Sequence, residues 1–108
     1  MKQAAYVEIA SLLLELEKAL RAHSLWEEHA PAESALSSQE PFCVDTLAFS
    51  QWVQWIFLPR MKVIVETQGN LPLASNIMPM AEEGLKAQGV NGQEIIQLFK
   101  QFDDLVSQ

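Results

Sequence analysis

The chain has 108 residues, of which 49% are hydrophobic, and it carries a formal net charge of −7. This length is typical of one domain, and the apolar fraction is too high for a disordered segment. With only 4 glycines and 5 prolines, the sequence is also too poor in turn residues for an all-β sandwich. We therefore expect a single domain over residues 1–108 with its own hydrophobic core.

The charge distribution excludes some partners. Binding to nucleic-acid phosphates needs a cluster of Lys and Arg, whereas the 7 basic residues here are scattered, so we expect no direct nucleic-acid binding. Glutamates interrupt the apolar positions near the amino terminus, and polar residues interrupt the most apolar stretch, 47–65. We therefore expect neither a secretory signal nor a membrane span. The expected location is the cytoplasm.

The first predicted element is an amphipathic helix over about 3–22. Its apolar residues recur at steps of four, three and four, namely Ile9, Leu13, Leu16 and Leu20. Ser24 and Glu27 then form an S-x-x-E capping pattern, which favours a separate short helical turn.

A long connector follows over residues 30–44, where two prolines and three serines break any periodicity. Connectors of this length are usually functional or mobile, although packing of Leu36 and Phe42 onto the core would also explain it. The one cysteine, Cys43, excludes an internal disulfide and a cysteine-based zinc site. We expect this thiol to be buried.

The second predicted helix begins at Asp45 or Thr46, both good N-cap residues. Its broad apolar surface indicates a central helix that is contacted on several sides. Because Pro59 lacks an amide hydrogen, we expect it to kink the helix or to split it into about 45–58 and 60–68.

Gly69 and Asn70 are suitable residues to end the second helix, and a short third helix is predicted after them. Asn76 is a plausible N-cap, which places Pro79 in the first turn, where a missing amide is tolerated. Gly89 closes this helix.

The fourth predicted helix has a capping-box-like pair, Asn91 and Glu94, and a possible hydrophobic staple between Val90 and Ile95. Together these elements predict an all-α, single-domain bundle of about four helices, with the second helix kinked or split at Pro59.

Catalytic and metal-binding motifs are missing from the sequence. It contains neither G-x-G-x-x-G nor Walker A, and His23, Glu27, Glu28 and His29 do not form H-E-x-x-H. Adjacent carboxylates point about 100° apart on a helix, so we interpret them as solvated faces. These pairs are Glu27–Glu28, Glu82–Glu83 and Asp103–Asp104. We expect no catalytic residues, no cofactor and no metal, and we expect that the protein is not an enzyme.

Residues 40–61 are the most distinctive segment, with two tryptophans, three phenylalanines, an arginine and a proline inside the second helix. On the simplest interpretation, most of these aromatic rings lie in the hydrophobic core. Trp52 and Trp55 are three positions apart, however, and both can face one groove with Arg60 nearby. Trp, Phe and Arg dominate binding hot spots. The predicted partner-binding residues are Trp52, Trp55, Arg60, Gln51 and Phe42.

This segment also resembles the hallmark of the YqcC-like family of small bacterial proteins. The shared motifs are Pro41-Phe42, Asp45-Thr46-Leu47, Gln51-Trp52-Val53-Gln54-Trp55 and Leu58-Pro59-Arg60-Met61, and Trp26, Leu71-Pro72 and Pro79 extend the likeness over nearly the whole chain. The resemblance implies a bacterial helical bundle of uncharacterised biochemical function, with no catalytic residues to carry over. Members are often encoded beside a tRNA pseudouridine synthase, which implies a link to RNA modification.

Two classes of function remain open from the sequence. The leading hypothesis is a non-enzymatic module that binds a protein or peptide, and a narrower form of it is an accessory to a tRNA-modifying enzyme such as a pseudouridine synthase. The alternative is a carrier of a small-molecule or lipid-like ligand in a pocket between kinked helices. A homodimer formed through the broad apolar second helix is also possible.

Overall fold

A computed structural model of the chain describes residues 2–72 and 74–107, with side chains from residue 5 onward. The described residues form helices and connecting segments without a strand, which confirms the predicted all-α class. None of the helices in this part of the chain combines the length and apolarity that a membrane span requires.

Helix α1 spans Lys2–Ala22, close to the prediction. It ends because Ser24 adopts a left-handed conformation with φ of 60°. The Leu25 N–H then donates to the Leu20 carbonyl at 2.9 Å, as in a Schellman motif. The helical turn predicted after Ser24 is therefore wrong, since residues 25–32 contain no helix.

The connector contains a single helical turn, α2, over Glu33–Leu36 and a 3₁₀ turn over Pro41–Cys43. The hydroxyl of Thr46 donates to the Ala35 carbonyl at 2.7 Å and ties the two turns together. Phe42 packs against the core and Cys43 is buried, both as predicted.

Helix α3 runs over residues 49–67, and of the two predicted alternatives, a kink or a split at Pro59, the helix is irregular but not interrupted. It consists of an α-helical start, a π-helical middle and an α-helical end, over Phe49–Trp52, Val53–Phe57 and Leu58–Thr67. The irregularity precedes Pro59 by one turn, because a wider π turn accommodates a residue that cannot donate a helix hydrogen bond.

The start of α3 also differs from the prediction. Ala48 occupies the N-cap position, and its N–H donates to Oε1 of Gln51 at 2.8 Å. Asp45 is not a cap because its carboxylate accepts the Ser38 hydroxyl, and Thr46 hydrogen bonds back to the connector. Tertiary partners have thus displaced the local capping pattern.

Helix α4 spans Met78–Ala87, with Pro79 in its first turn and Gly89 (φ 72°) after its end, both as predicted. The predicted cap Asn76 is wrong. The Asp103 carboxylate, from the last helix, accepts the N–H groups of Ile77 at 2.9 Å and Met78 at 2.8 Å. A carboxylate is favoured there because it faces the positive end of the helix dipole.

The capping role of Asp103 also corrects the interpretation of the Asp103–Asp104 pair as a solvated face. Asp103 is only 7% exposed. Its neighbour Asp104 is exposed and forms an i, i+4 ion pair with Lys100 at 3.0 Å, as expected of a solvated residue.

Helix α5 spans Gln93–Val106 and begins at Gly92 without a side-chain cap, so the predicted capping box of Asn91 and Glu94 does not form. A Cβ atom at Gly92 would lie 2.7 Å from Cδ1 of Leu85. The start of α5 therefore lies close against Leu85 of α4, and a larger residue at position 92 would require that side chain to shift.

One hydrophobic core joins α1, α3, α4 and α5. Its centre is aromatic: the Phe57 ring lies 5.3 Å from that of Phe99 and 5.1 Å from that of Phe102, both edge to face. Such pairs add to the free energy gained by burying the rings. This cluster fixes α3 against α5 and leaves two other faces of α3 for the grooves described below.

Candidate partner-binding grooves

Four of the five predicted partner-binding residues lie on two different faces of α3, and Phe42 lies in the connector. Trp52, Arg60 and Phe42 line one groove, whereas Trp55 lines another. Gln51 hydrogen bonds to Glu27, which belongs to the second groove. The prediction that both tryptophans face one groove is therefore wrong.

The π-helical segment explains this separation. In an α-helix, residues three positions apart point about 60° apart around the axis. A π turn takes more than four residues, so the same three positions leave the side chains more than roughly 90° apart. Trp52 directly precedes the π segment, and Trp55 is its third residue.

The first groove, which we call the Trp52 groove, has a volume of about 300 Å³. Its main lining residues are Phe42, Trp52, Arg60, Met61, Asn76 and Ile77. One wall comes from the connector and α3, and the other comes from the segment before α4. The Asp103 carboxylate fixes this second wall by accepting hydrogen bonds from Ser75, Ile77 and Met78.

Aromatic contacts hold the Trp52 ring. Its centroid lies 4.7 Å from that of Phe42, 5.4 Å from Phe57 and 5.9 Å from Phe49. Trp52 nevertheless stays partly accessible. A rigid, half-buried ring of this kind can be contacted by a partner without losing side-chain entropy.

Arg60 stands exposed on the rim of the Trp52 groove. Within the described part of the chain, its guanidinium makes neither an ion pair nor a side-chain hydrogen bond. The groove therefore offers an apolar floor and five unused donors at its edge.

The second groove, the Trp55 groove, has a volume of about 530 Å³. Its main lining residues are Arg21, Trp26, Glu27, Trp55, Pro59 and Lys62. It lies between the segment after α1 and the middle of α3, and it is more polar than the Trp52 groove.

Gln54 anchors the Trp55 groove from below. Its side chain is buried, with 5% exposed, and it contacts the main chain of Glu27 twice. Oε1 accepts the Glu27 N–H at 2.9 Å, and Nε2 donates to the Glu27 carbonyl at 2.7 Å. The segment after α1 is thereby fixed to α3 although it has no secondary structure of its own.

The carboxylate of Glu27 is held from the same helix. The indole N–H of Trp55 donates to its Oε1 at 3.0 Å, and Nε2 of Gln51 donates to its Oε2 at 3.2 Å. Glu27 makes no ion pair among the described residues. It is therefore an oriented anion stabilised by neutral donors.

The two cations of the Trp55 groove are engaged elsewhere. Arg21 pairs with Glu17 at 3.1 Å and lies over the Trp26 ring, 4.6 Å from its centroid. Lys62 approaches the same glutamate at 3.8 Å. These contacts leave the Glu27 carboxylate without a direct counter-charge in the described structure.

The main-chain hydrogen bonds of α3 are irregular just before Pro59. The N–H of Leu58 donates to the Val53 carbonyl, five residues earlier. Pro59 has no N–H, so the Gln54 carbonyl has neither a donor four residues later nor one five residues later.

Sequence patterns do not predict the roles of Glu27, Gln54 and Asp103. The one signal in the sequence for such a role was a polar residue, Gln54, within an otherwise apolar stretch. The described residues contain no group of three or more His, Cys, Asp or Glu side chains that could hold a metal. The geometry on both faces of α3 is suited to recognition, with fixed rings and unused polar groups.

Two known bacterial proteins are similar to part of this chain. An uncharacterized protein of Haemophilus influenzae is 38% identical over 74 residues, which cover 68% of this chain and 70% of that protein. A tRNA pseudouridine synthase C of Pectobacterium carotovorum is 38% identical over 65 residues, which cover 60% of this chain but only 17% of that protein.

The fold is shared with a solved structure. The solution NMR structure of Escherichia coli YqcC superposes with a TM-score of 0.81 at 27% identity, over 95% of this chain and 88% of that one. Residues 8–105 match the DUF446 family, which is described as tRNA pseudouridine synthase C. The chain therefore belongs to the DUF446 family, whose relatives include YqcC, as the sequence motifs predicted.

Proposed function

We propose that this protein is a non-enzymatic partner of a tRNA pseudouridine synthase, which it binds through the Trp52 groove. The observation that carries the proposal is the match within the Pectobacterium protein named tRNA pseudouridine synthase C. The matched segment makes up only 17% of that protein, so a unit similar to this chain occurs there within a much longer polypeptide.

When two units are joined in one polypeptide, each is present at a high effective concentration around the other, which is an advantage for two units that act together. A separate chain of the same family needs its own binding surface to achieve this association. The cytoplasm, where tRNA is modified, is then the expected location.

The chemistry of the Trp52 groove supports its use as that surface. Trp and Arg are the residue types that most often carry binding energy at interfaces, and they do so from well-packed positions. Trp52 is fixed by three rings, and Arg60 has no partner in the described structure. A segment of the synthase with an apolar side chain beside an acidic one would complement both.

A carrier of a small-molecule or lipid-like ligand remains the alternative prediction. The rings of Phe57, Phe99 and Phe102 contact one another between α3 and α5, and the groove that Phe57 and Phe102 help to line holds only about 300 Å³, the lower end of the range for ligand pockets. The interaction hypothesis therefore has the stronger structural support.

The test is a binding measurement between the purified chain and the tRNA pseudouridine synthase C of the same organism, by calorimetry. We expect a 1:1 complex, with Arg60→Glu weakening it at least tenfold because a repelling charge replaces a donor at the rim. The matched control is Lys18→Glu, which makes the same charge change at an exposed position on α1. Lys18→Glu should bind within about twofold of the wild type.

Absence of binding by the wild-type chain would contradict the choice of partner. Equal weakening by Arg60→Glu and Lys18→Glu would instead exclude the Trp52 groove as the docking site. Light scattering on the chain alone tests the predicted possibility of a homodimer in the same samples.

A further inference from the structure

We infer that the Trp55 groove is a receptor for an arginine side chain of a protein partner. Only the identity of the partner rests on the proposed function above, since the arginine site is defined by its own contacts. The feature that defines it is a carboxylate held in place by neutral donors in a groove that two tryptophans line.

The Glu27 carboxylate is the centre of this receptor. Its main chain is clamped by Gln54, and its oxygens are oriented by Trp55 and Gln51. A charged group that is partly withdrawn from water and lacks a counter-charge in the described structure is incompletely satisfied. An incoming cation would supply the missing interaction without any rearrangement of the carboxylate.

The walls of the groove select the kind of cation. Trp26 and Trp55 both line the groove, and because Arg21 already lies over Trp26, the Trp55 ring is the one available to a partner. Indole is the most favourable ring for a cation–π contact. The chain already uses this chemistry internally, because the guanidinium of Arg21 lies over Trp26. That guanidinium is paired with Glu17, so it does not neutralise Glu27 in this structure.

The carboxylate beside an aromatic ring favours arginine over lysine. Each Glu27 oxygen accepts one neutral donor, from Trp55 or Gln51, and has a further lone pair for a cation. A guanidinium carries five donors in a planar fork and is weakly hydrated, so it can stack on a ring while donating to several acceptors. An ammonium group satisfies fewer of these contacts at once.

The test needs no knowledge of the partner. Acetyl-Gly-Arg-Gly-amide is titrated into the isotope-labelled chain, and the indole Nε1–H resonance of Trp55 is followed by NMR. We expect a saturable shift, with binding at least tenfold weaker for the neutral citrulline peptide and for the lysine peptide.

Glu27→Gln is the informative variant, since glutamine can still accept the Trp55 hydrogen bond while losing the charge. It should weaken binding of the arginine peptide about tenfold, the effect of losing one charge-assisted contact. Glu66→Gln, which makes the same charge change at an exposed position of α3 outside both grooves, is the control and should leave binding unchanged. A dispersed amide spectrum confirms that both variants fold.

No saturable shift with the arginine peptide would overturn the inference, as would equal binding of the citrulline peptide or unchanged binding to Glu27→Gln. None of these results depends on the synthase. A chain that binds the peptide but not the synthase would refute the proposed function while supporting the arginine site.

Discussion

Two tryptophans three residues apart on one helix are held by different physical interactions. The Trp52 ring packs against three phenylalanines at the edge of the core. The Trp55 ring is oriented by a hydrogen bond from its indole nitrogen to Glu27. One side of α3 is thus stabilised by apolar burial, and the other is stabilised by a polar network.

This difference teaches that residue type does not determine the role of an aromatic side chain. The π-helical segment rotates Trp55 away from Trp52, and each ring then takes the partners that its face provides. If this account is right, substitutions on the Trp52 side should destabilise the fold more than those on the Trp55 side. Four predictions test this, from the largest expected effect to the smallest.

Replacing Trp52 with alanine should lower the free energy of unfolding by about 3 kcal/mol, because it removes ring contacts and leaves a cavity beside the core. Urea denaturation followed by circular dichroism measures this change. The comparison fails if Trp55→Ala costs as much as Trp52→Ala.

Replacing Asp103 with alanine should cost about 2 kcal/mol, since three donors at the start of α4 lose their acceptor. Asp104→Ala is the matched control and should change stability by less than about 0.5 kcal/mol, as for an exposed ion pair. Equal effects of the two substitutions in thermal unfolding would show that Asp103 does not cap α4.

Replacing Gln54 with leucine should cost about 1.5 kcal/mol, because the N–H and carbonyl of Glu27 lose their partners while the side-chain volume is roughly kept. Hydrogen exchange of the Glu27 amide should become faster than in the wild type. Gln97→Leu, on the exposed surface of α5, is the control. An unchanged exchange rate in Gln54→Leu would mean that the clamp does not form in solution.

Replacing Trp55 with phenylalanine should have the smallest effect, about 1 kcal/mol, because only the hydrogen bond to the carboxylate is lost while a ring remains. The loss should largely disappear in a Glu27→Ala background, where the acceptor is already missing. A loss of the same size in both backgrounds would show that packing, not the hydrogen bond, holds Trp55.

Local patterns predicted much of the architecture. The periodicity of Ile9, Leu13, Leu16 and Leu20 predicted helix α1. The sequence motifs around Trp52 predicted the family. The positions of Pro79 and Gly89 were predicted because each depends on its own backbone conformation. These features require only information from neighbouring residues.

Helix caps and the site were not predictable in the same way. Asp103 caps α4 from 25 residues away, and Gln54 holds Glu27 across 27 residues. Nothing in the intervening sequence signals such a pair, because its hydrogen bonds depend on how the helices pack. The shared groove expected for Trp52 and Trp55 failed because the π segment before Pro59 changed the angle between them.

The sequence by itself therefore determined the helices, the burial of Cys43 and the family, since amphipathic periodicity and short motifs act over a few residues. The tertiary structure alone decided which polar groups became caps and clamps and which face each tryptophan occupies. The physical reason is that a buried polar group must find a partner wherever packing places one, and that partner is set by three-dimensional proximity rather than by spacing along the chain.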